Sequence, residues 1–151
     1  MFISPCVAKR AEGYENNNVD YVMNYEELGA LFVAKRIQIA ECGDYEDKKP
    51  EPSKQGRNFG FSGGVFESVK ASLKNENAAK ACIINGLNKD SIRQLRKFAK
   101  TGECEGGCNL VEVMCCEGGC IGGNATMNNQ RTAKKLITNL SDQSKYIEKI
   151  D

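Results

Sequence analysis

A chain of 151 residues, 40% hydrophobic and 27% charged, is long enough for one domain and too apolar for wholesale disorder. Its 21 basic and 20 acidic side chains leave a net charge of +1, which gives no electrostatic case for nucleic acid or an anionic membrane as a partner. Histidine is absent, which excludes mechanisms built on an imidazole base and zinc sites with histidine ligands.

Along the chain, Phe2-Ile3-Ser4-Pro5-Cys6 reads as a short strand, with Pro5 at its end. Val19-Asp20-Tyr21-Val22-Met23 reads as a second. Asn24 is placed as an N-cap, with Glu26 and Glu27 in the first turn, where the helix dipole favours carboxylates. Leu28, Leu31 and Phe32 then fall at helical spacing, so 25–36 is expected to be an amphipathic helix. Residues 41–58 are polar and carry Pro50 and Pro52, which predicts a loop. Phe59 to Gly64 lead into a helix with Val65, Val69 and Leu73 on one face. Ala81 to Asn85 form a candidate buried strand that Gly86 ends. Asp90-Ser91 open a helix carried by Ile92, Leu95 and Phe98-Ala99, and Gly102 sits where a helix end wants a left-handed residue. Leu110 to Met114 read as a strand, and 130–140 as a last amphipathic helix that the tail 141–151 continues through Tyr146, Ile147 and Ile150.

Strands alternating with helices predict an α/β fold, a mostly parallel sheet flanked by helices. In such sheets ligands sit beyond the carboxyl ends of the strands. Cys6 follows the first strand and Cys115-Cys116 follow the last, so these thiols fall where that architecture places chemistry.

No basic leader opens the chain, and the apolar runs are far shorter than the ~20 residues that span a bilayer. A cytoplasmic location is expected, where cysteines serve metals or redox chemistry more often than disulfides. Of the 8 cysteines, Cys82 and Cys42 suit a buried structural role instead. The pentapeptide Cys-Glu-Gly-Gly-Cys occurs twice, at Cys104–Cys108 and at Cys116–Cys120. Each copy sets two soft donors four positions apart around a glycine pair that lets backbone approach a ligand closely. Three readings follow from spacing alone: a four-thiolate zinc site using both pairs, an iron–sulfur site using one pair with distant thiols such as Cys6, or glycine turns with incidental thiols.

The residues around the second pair carry a resemblance. Glu112-Val113-Met114-Cys115-Cys116-Glu117-Gly118-Gly119-Cys120-Ile121-Gly122-Gly123 resembles the C-terminal signature of the FeFe-hydrogenases, Glu-x-Met-x-Cys-x-x-Gly-Cys-x-x-Gly, at every fixed position. Pro5-Cys6-Val7-Ala8-Lys9-Arg10-Ala11-Glu12 is similar to a second motif of that family, Pro-Cys-x-x-Lys-x-x-Glu. Val19 to Val22, the helix beginning at Glu26-Glu27-Leu28, and Ser62-Gly63-Gly64-Val65 also look like the family.

The resemblance spans residues 1–140 and implies the C-terminal part of the catalytic (H-cluster) domain, one lobe of two, followed by a helical tail at 141–151. It implies a 4Fe–4S cubane with Cys6, Cys116 and Cys120 as ligands, and Cys120 bridging to a two-iron subcluster that carries carbon monoxide, cyanide and a dithiolate. Lys9 is then expected near a cyanide and Met114 against the two-iron site. Without the resemblance, Lys9 reads as a solvated lysine and Met114 as a core strand residue. Glu12 reads as a proton relay or as a surface partner of Lys9 or Arg10. Cys104 and Cys108 map to no family ligand.

The implied substrates are hydrogen and protons, with a redox partner such as a ferredoxin. A further family signature, Thr-Ser-Cys-Cys-Pro, which supplies the fourth cubane thiolate and a proton-shuttling cysteine, is expected upstream of Met1. The chain is therefore expected to be a fragment inactive alone, with the upstream lobe as a partner chain or an adjoining segment. Ser4 stands where efficient hydrogen producers carry methionine, and the segment at 56–64 is shorter than theirs. These departures resemble hydrogen-sensing members, and narf-like members that serve cluster assembly are the other non-catalytic reading.

Overall fold

The computed structural model describes residues 1–43 and 51–146. The chain divides into two units, Met1–Pro50 with Gly123–Asn129, and Glu51–Gly122 with Gln130–Asp151.

In the first unit, β1 (Phe2–Ile3) pairs in parallel with β2 (Val22–Met23), Phe2 opposite Val22 and Ile3 opposite Met23. Backbone bonds from Phe2 N–H to Tyr21 O (2.8 Å) and from Ser4 N–H to Met23 O (3.0 Å) lengthen the ladder. Between the strands runs α1 (Lys9–Glu15), an element the sequence pattern did not predict. It buries no residue, has no side-chain cap and contains Gly13. Tertiary packing explains the glycine, because a Cβ there would collide with Val22 Cγ2. The predicted second helix is present as α2 (Tyr25–Ala34) with the expected cap. Asn24 Oδ1 accepts from Glu27 N–H (2.8 Å), and the Glu27 carboxylate accepts from Asn24 N–H (2.9 Å). This reciprocal pair satisfies two donors that the first turn leaves open.

In the second unit, β3 (Ala81–Asn85) and β4 (Leu110–Met114) match their predicted bounds and pair in parallel, Ala81 opposite Leu110 through Asn85 opposite Met114. Their connection is α5 (Lys89–Thr101), so β3-α5-β4 is the strand–helix–strand unit that parallel pairing requires. Asn88 caps α5 and Gly102, at φ 71°, ends it as predicted. Further helices are α3 (Lys54–Arg57), α4 (Gly64–Ser72) and α6 (Gln130–Asp142), with α3 packed against both α4 and α6. Ile84 from β3, Phe98 from α5, Met114 from β4 and Ile121 form the buried apolar core of this unit among the described residues.

The fold is α/β and its strand pairing is parallel throughout the described residues, in two separate two-stranded ladders. The strands of the first unit are only two residues long, which limits how much sheet they can build. The loop expected over 41–58 is broken by a 3₁₀ turn ending at Glu41 and by α3, whose first turn is capped by Ser53 Oγ accepting from Gly56 N–H (3.0 Å). Residues 44–50 of that loop, and Ile147 and Ile150 of the tail, lie outside the described residues; α6 ends at Asp142.

Candidate functional site

The second Cys-Glu-Gly-Gly-Cys lies just past the carboxyl end of β4. The ladder runs on to its edge, with Met114 O accepting from Gly86 N–H (2.9 Å) and Cys115 O from Leu87 N–H (3.0 Å). The chain then turns through Gly118 (φ 80°) and Gly119 (φ 91°), left-handed positions that glycine occupies without steric cost. Space requires glycine as well. A Cβ on Gly119 would collide with Gly60 O and lie 2.6 Å from Ser62 N, and one on Gly118 would strike the Gln130 amide.

Three elements clamp this turn. From the end of β3, Asn85 Oδ1 accepts from Gly118 N–H (2.6 Å). Gly118 O accepts from Ser62 N–H (3.1 Å), ahead of α4. At the start of α6, Gln130 Nε2 donates to Glu117 O (2.8 Å). The Cys116 thiol is half-buried and the Cys120 thiol is exposed at the ends of this clamped segment, and neither is in a disulfide.

Glu112 supports the same corner from beneath. Only 6% exposed, it accepts from Gly63 N–H through Oε1 (2.7 Å) and from Phe66 N–H through Oε2 (2.8 Å). The carboxylate therefore caps the amino end of α4, satisfying donors the helix leaves open and complementing its dipole. Its neighbour on the same strand, Met114, is 9% exposed and lies in the apolar core. Beside the turn is a pocket of about 310 Å³ whose lining includes Ser62, Asn85, Gly118, Ile121 and Lys134. Ser62 Oγ is buried and has no hydrogen-bond partner among the described residues.

In the first unit, Cys6 follows the carboxyl end of β1. Its thiol is half-buried and unbridged, and its N–H donates to Oγ of the buried Ser4 (3.1 Å). Lys9 opens α1 and forms an ion pair with Glu12, while Arg10 pairs with Glu27. The surface-partner reading of Glu12 is therefore the one observed. Asn24 N–H and then Arg10 hold the Glu27 carboxyl below its ordinary value.

The remaining cysteines separate by environment. Cys82 is half-buried in β3 and receives Gln94 Nε2 at 3.8 Å. Cys42 is exposed, which overturns the expectation of a buried thiol, because it follows a surface 3₁₀ turn that packs no apolar residue inward. Cys104 and Cys108 form a disulfide with each other, Cα atoms 5.8 Å apart, where thiols serving metals or a turn were expected. Among the described residues, no three Cys, Asp or Glu side chains are gathered into a metal-binding group. Within each unit the donors still suit soft-metal chemistry. Cys6 in the first and Cys116 with Cys120 in the second are unbridged thiols past strand ends, and the turn between the second pair accepts a hydrogen bond from the backbone of Ser62.

Several of these supporting residues were not evident from the sequence. Glu112 stood out as the first fixed position of the family signature, but its capping role did not. Ser62 stood in the family-like stretch Ser62 to Val65, while Asn85 and Gln130 had no signal, because their roles arise from contacts between distant segments.

Residues 1–124 match the family model described as the iron only hydrogenase large subunit, C-terminal domain. The chain belongs to that family. It is similar to Iron hydrogenase 1 of Clostridium pasteurianum, 28% identical over 155 residues that cover 80% of this chain and 27% of the relative. It is equally similar to the NADP-reducing hydrogenase subunit HndD of Solidesulfovibrio fructosivorans, 28% identical over 159 residues, 80% of this chain and 26% of the relative. The chain thus spans about a quarter of the length of these curated hydrogenases. The match takes in both cysteine motifs, Pro5 to Glu12 and Glu112 to Gly123. No helix among the described residues is long and apolar enough to cross a membrane.

Proposed function

We propose that this chain carries the C-terminal part of the H-cluster domain of an FeFe-hydrogenase, and that it needs the remainder of that domain for turnover. The observation that carries this reading is the family match across both cysteine motifs, with Cys116 and Cys120 unbridged on a turn that three other segments hold in shape. Cys6, Cys116 and Cys120 would serve as thiolate ligands of a 4Fe–4S cluster, and Cys120 would also be a ligand of the two-iron subcluster. Lys9, which pairs with Glu12, would donate toward a cyanide ligand, where an ammonium suits a polar anion. Met114 supplies apolar wall that limits water at the site. When bound, the complete group supplies the redox chemistry that interconverts hydrogen with protons and electrons. A soluble redox protein such as a ferredoxin exchanges the electrons, and the upstream lobe supplies the fourth thiolate.

Anaerobic reconstitution with iron and sulfide tests the ligand set. A labile iron–sulfur chromophore is expected, lost in Cys116→Ala and kept in Cys82→Ala, since Cys82 lies in β3 against Gln94. Tight stoichiometric zinc without iron uptake would overturn this reading in favour of a zinc module. The chain alone is expected to evolve no hydrogen with a reduced viologen, and measurable turnover would refute its dependence on the other lobe. Persistent inactivity after completion with that lobe and maturation of the two-iron site would assign the chain to the hydrogen-sensing or cluster-assembly branch.

A further inference from the structure

The two Cys-Glu-Gly-Gly-Cys segments are identical in sequence and differ in covalent state. Both turn through two left-handed glycines, Gly106 (φ 76°) and Gly107 (φ 67°) in the first, Gly118 (φ 80°) and Gly119 (φ 91°) in the second. The local sequence therefore cannot be the cause of the difference; the surroundings are. Every residue between Cys116 and Cys120 is tied to another segment, Glu117 to Gln130, Gly118 to Asn85 and Ser62, and Gly119 sits against Gly60. In the first segment, a Cβ added to Gly106 or Gly107 would meet nothing within 4 Å. Glu105 there pairs across the surface with Lys97 of α5 (3.0 Å).

The ends of the first segment are nonetheless pinned. Gly102 N–H bonds to Phe98 O (2.9 Å) as α5 ends, and Asn109 bonds Lys80 through backbone and side chain and Ala78 through Nδ2 (2.7 Å) as β4 begins. Anchored ends and an unclamped middle hold the two sulfurs close while leaving the turn free to close or open. The 5.8 Å between the Cα atoms is within the range a disulfide spans.

We propose that Cys104 and Cys108 are a reversible dithiol–disulfide couple whose substrates are low-molecular-weight disulfides and thiols, distinct from the thiols assigned above to a cluster. In the oxidising direction, one cysteine thiolate attacks the small disulfide, forming a mixed disulfide and releasing one thiolate. The second cysteine then attacks the protein sulfur of that mixed disulfide, closing the Cys104–Cys108 bond and releasing the second thiolate. Two protein thiols are oxidised, one small disulfide is reduced to two thiols, and the two protons pass to the released thiolates. Both reacting residues are half-buried in a segment whose other members are exposed, so the attacking reagent has access. The clamps on the second segment make it resist the same closure.

Alkylation mass spectrometry on the full chain tests this. The metal-free protein is reduced, equilibrated with oxidised glutathione, alkylated and cut at glutamate. Cleavage at Glu105 separates Cys104 from Cys108, and cleavage at Glu112 separates the two segments. The expected result is loss of alkylation at both Cys104 and Cys108, with their peptides joined, while Cys116 and Cys120 stay alkylated. Dithiothreitol should restore the label, and Cys108→Ser should leave Cys104 as a glutathione mixed disulfide. Full alkylation of Cys104 and Cys108 after oxidant would overturn the proposal, as would equal closure of both segments. Asn85→Ala with Gln130→Ala should release the second segment and permit Cys116–Cys120 closure; continued resistance to closure in that variant would overturn the clamp argument.

Discussion

Removing the Glu112 carboxylate tests how the corner beneath the Cys116–Cys120 turn is held. Its two oxygens accept from Gly63 N–H at 2.7 Å and Phe66 N–H at 2.8 Å in a site where Glu112 is 6% exposed. Hydrogen bonds to a charged group contribute roughly 1.5–3 kcal/mol each, and two bonds sharing one carboxylate are less than additive. Glu112→Ala is therefore expected to cost about 3 kcal/mol, since it orphans two part-buried donors at a helix start. Set against the ~5–15 kcal/mol by which domains are stable, that is a large fraction. Glu112→Gln retains one acceptor oxygen and most of the volume, and is expected to cost about half as much. With a urea m-value of roughly 1.5 kcal/mol/M, the alanine variant should unfold about 2 M earlier. Amide exchange gives the local readout, because Gly63 and Phe66 should lose protection in the alanine variant and one of them in the glutamine variant. If both variants unfold within about 0.5 kcal/mol of the parent, as neutral surface changes do, and both amides stay protected, the capping role is wrong.

Gly119→Ala is expected to destabilise by more than about 2 kcal/mol and to raise the alkylation rate of Cys116, because strain at φ 91° adds to collision with backbone of the 60–62 segment. Gly102→Ala, at φ 71° with nothing within 4 Å, should cost only about 1 kcal/mol; equal costs at the two sites would remove the close-approach argument. The Glu27 carboxyl is held low by Asn24 N–H first and Arg10 second, so its stabilisation is present above the ordinary value of 4.5 and is lost as pH falls through the lower folded value. An NMR titration should place its midpoint below 4.5, and Arg10→Ala should move it upward; a midpoint unmoved by that change would discard the Arg10 contribution. Lys54 is raised by its hydrogen bond to Asp142, so its contribution is present below 10.5 and lost as pH climbs through the higher folded value. Asp142→Asn should bring the Lys54 titration back toward 10.5, and no movement would refute that pairing as the cause.

Local chemistry made much of the fold legible in the sequence. The β3 and β4 bounds follow from apolar runs ended by glycine or cysteine turns, and α5 from its helical spacing between Asp90 and Gly102, with the Asn88 cap seen only in the structure. The Asn24–Glu27 cap is a three-residue signal readable without any partner. The two family motifs are contiguous too, so the placement of Cys6 and Cys116 past strand ends was anticipated from short stretches of chain. What contiguous residues do not carry is contact between distant ones. Helix α1 escaped prediction because its glycine is explained only by Val22 of the neighbouring strand. Glu112 became a helix cap only once β4 ran beside the start of α4. The pair of identical Cys-Glu-Gly-Gly-Cys segments shows the boundary between the two kinds of information. Five shared residues determine the same doubly left-handed turn, because backbone preference is local. Whether the cysteines meet is decided by Asn85, Ser62 and Gln130, which reach one turn through the folded chain and leave the other in open space.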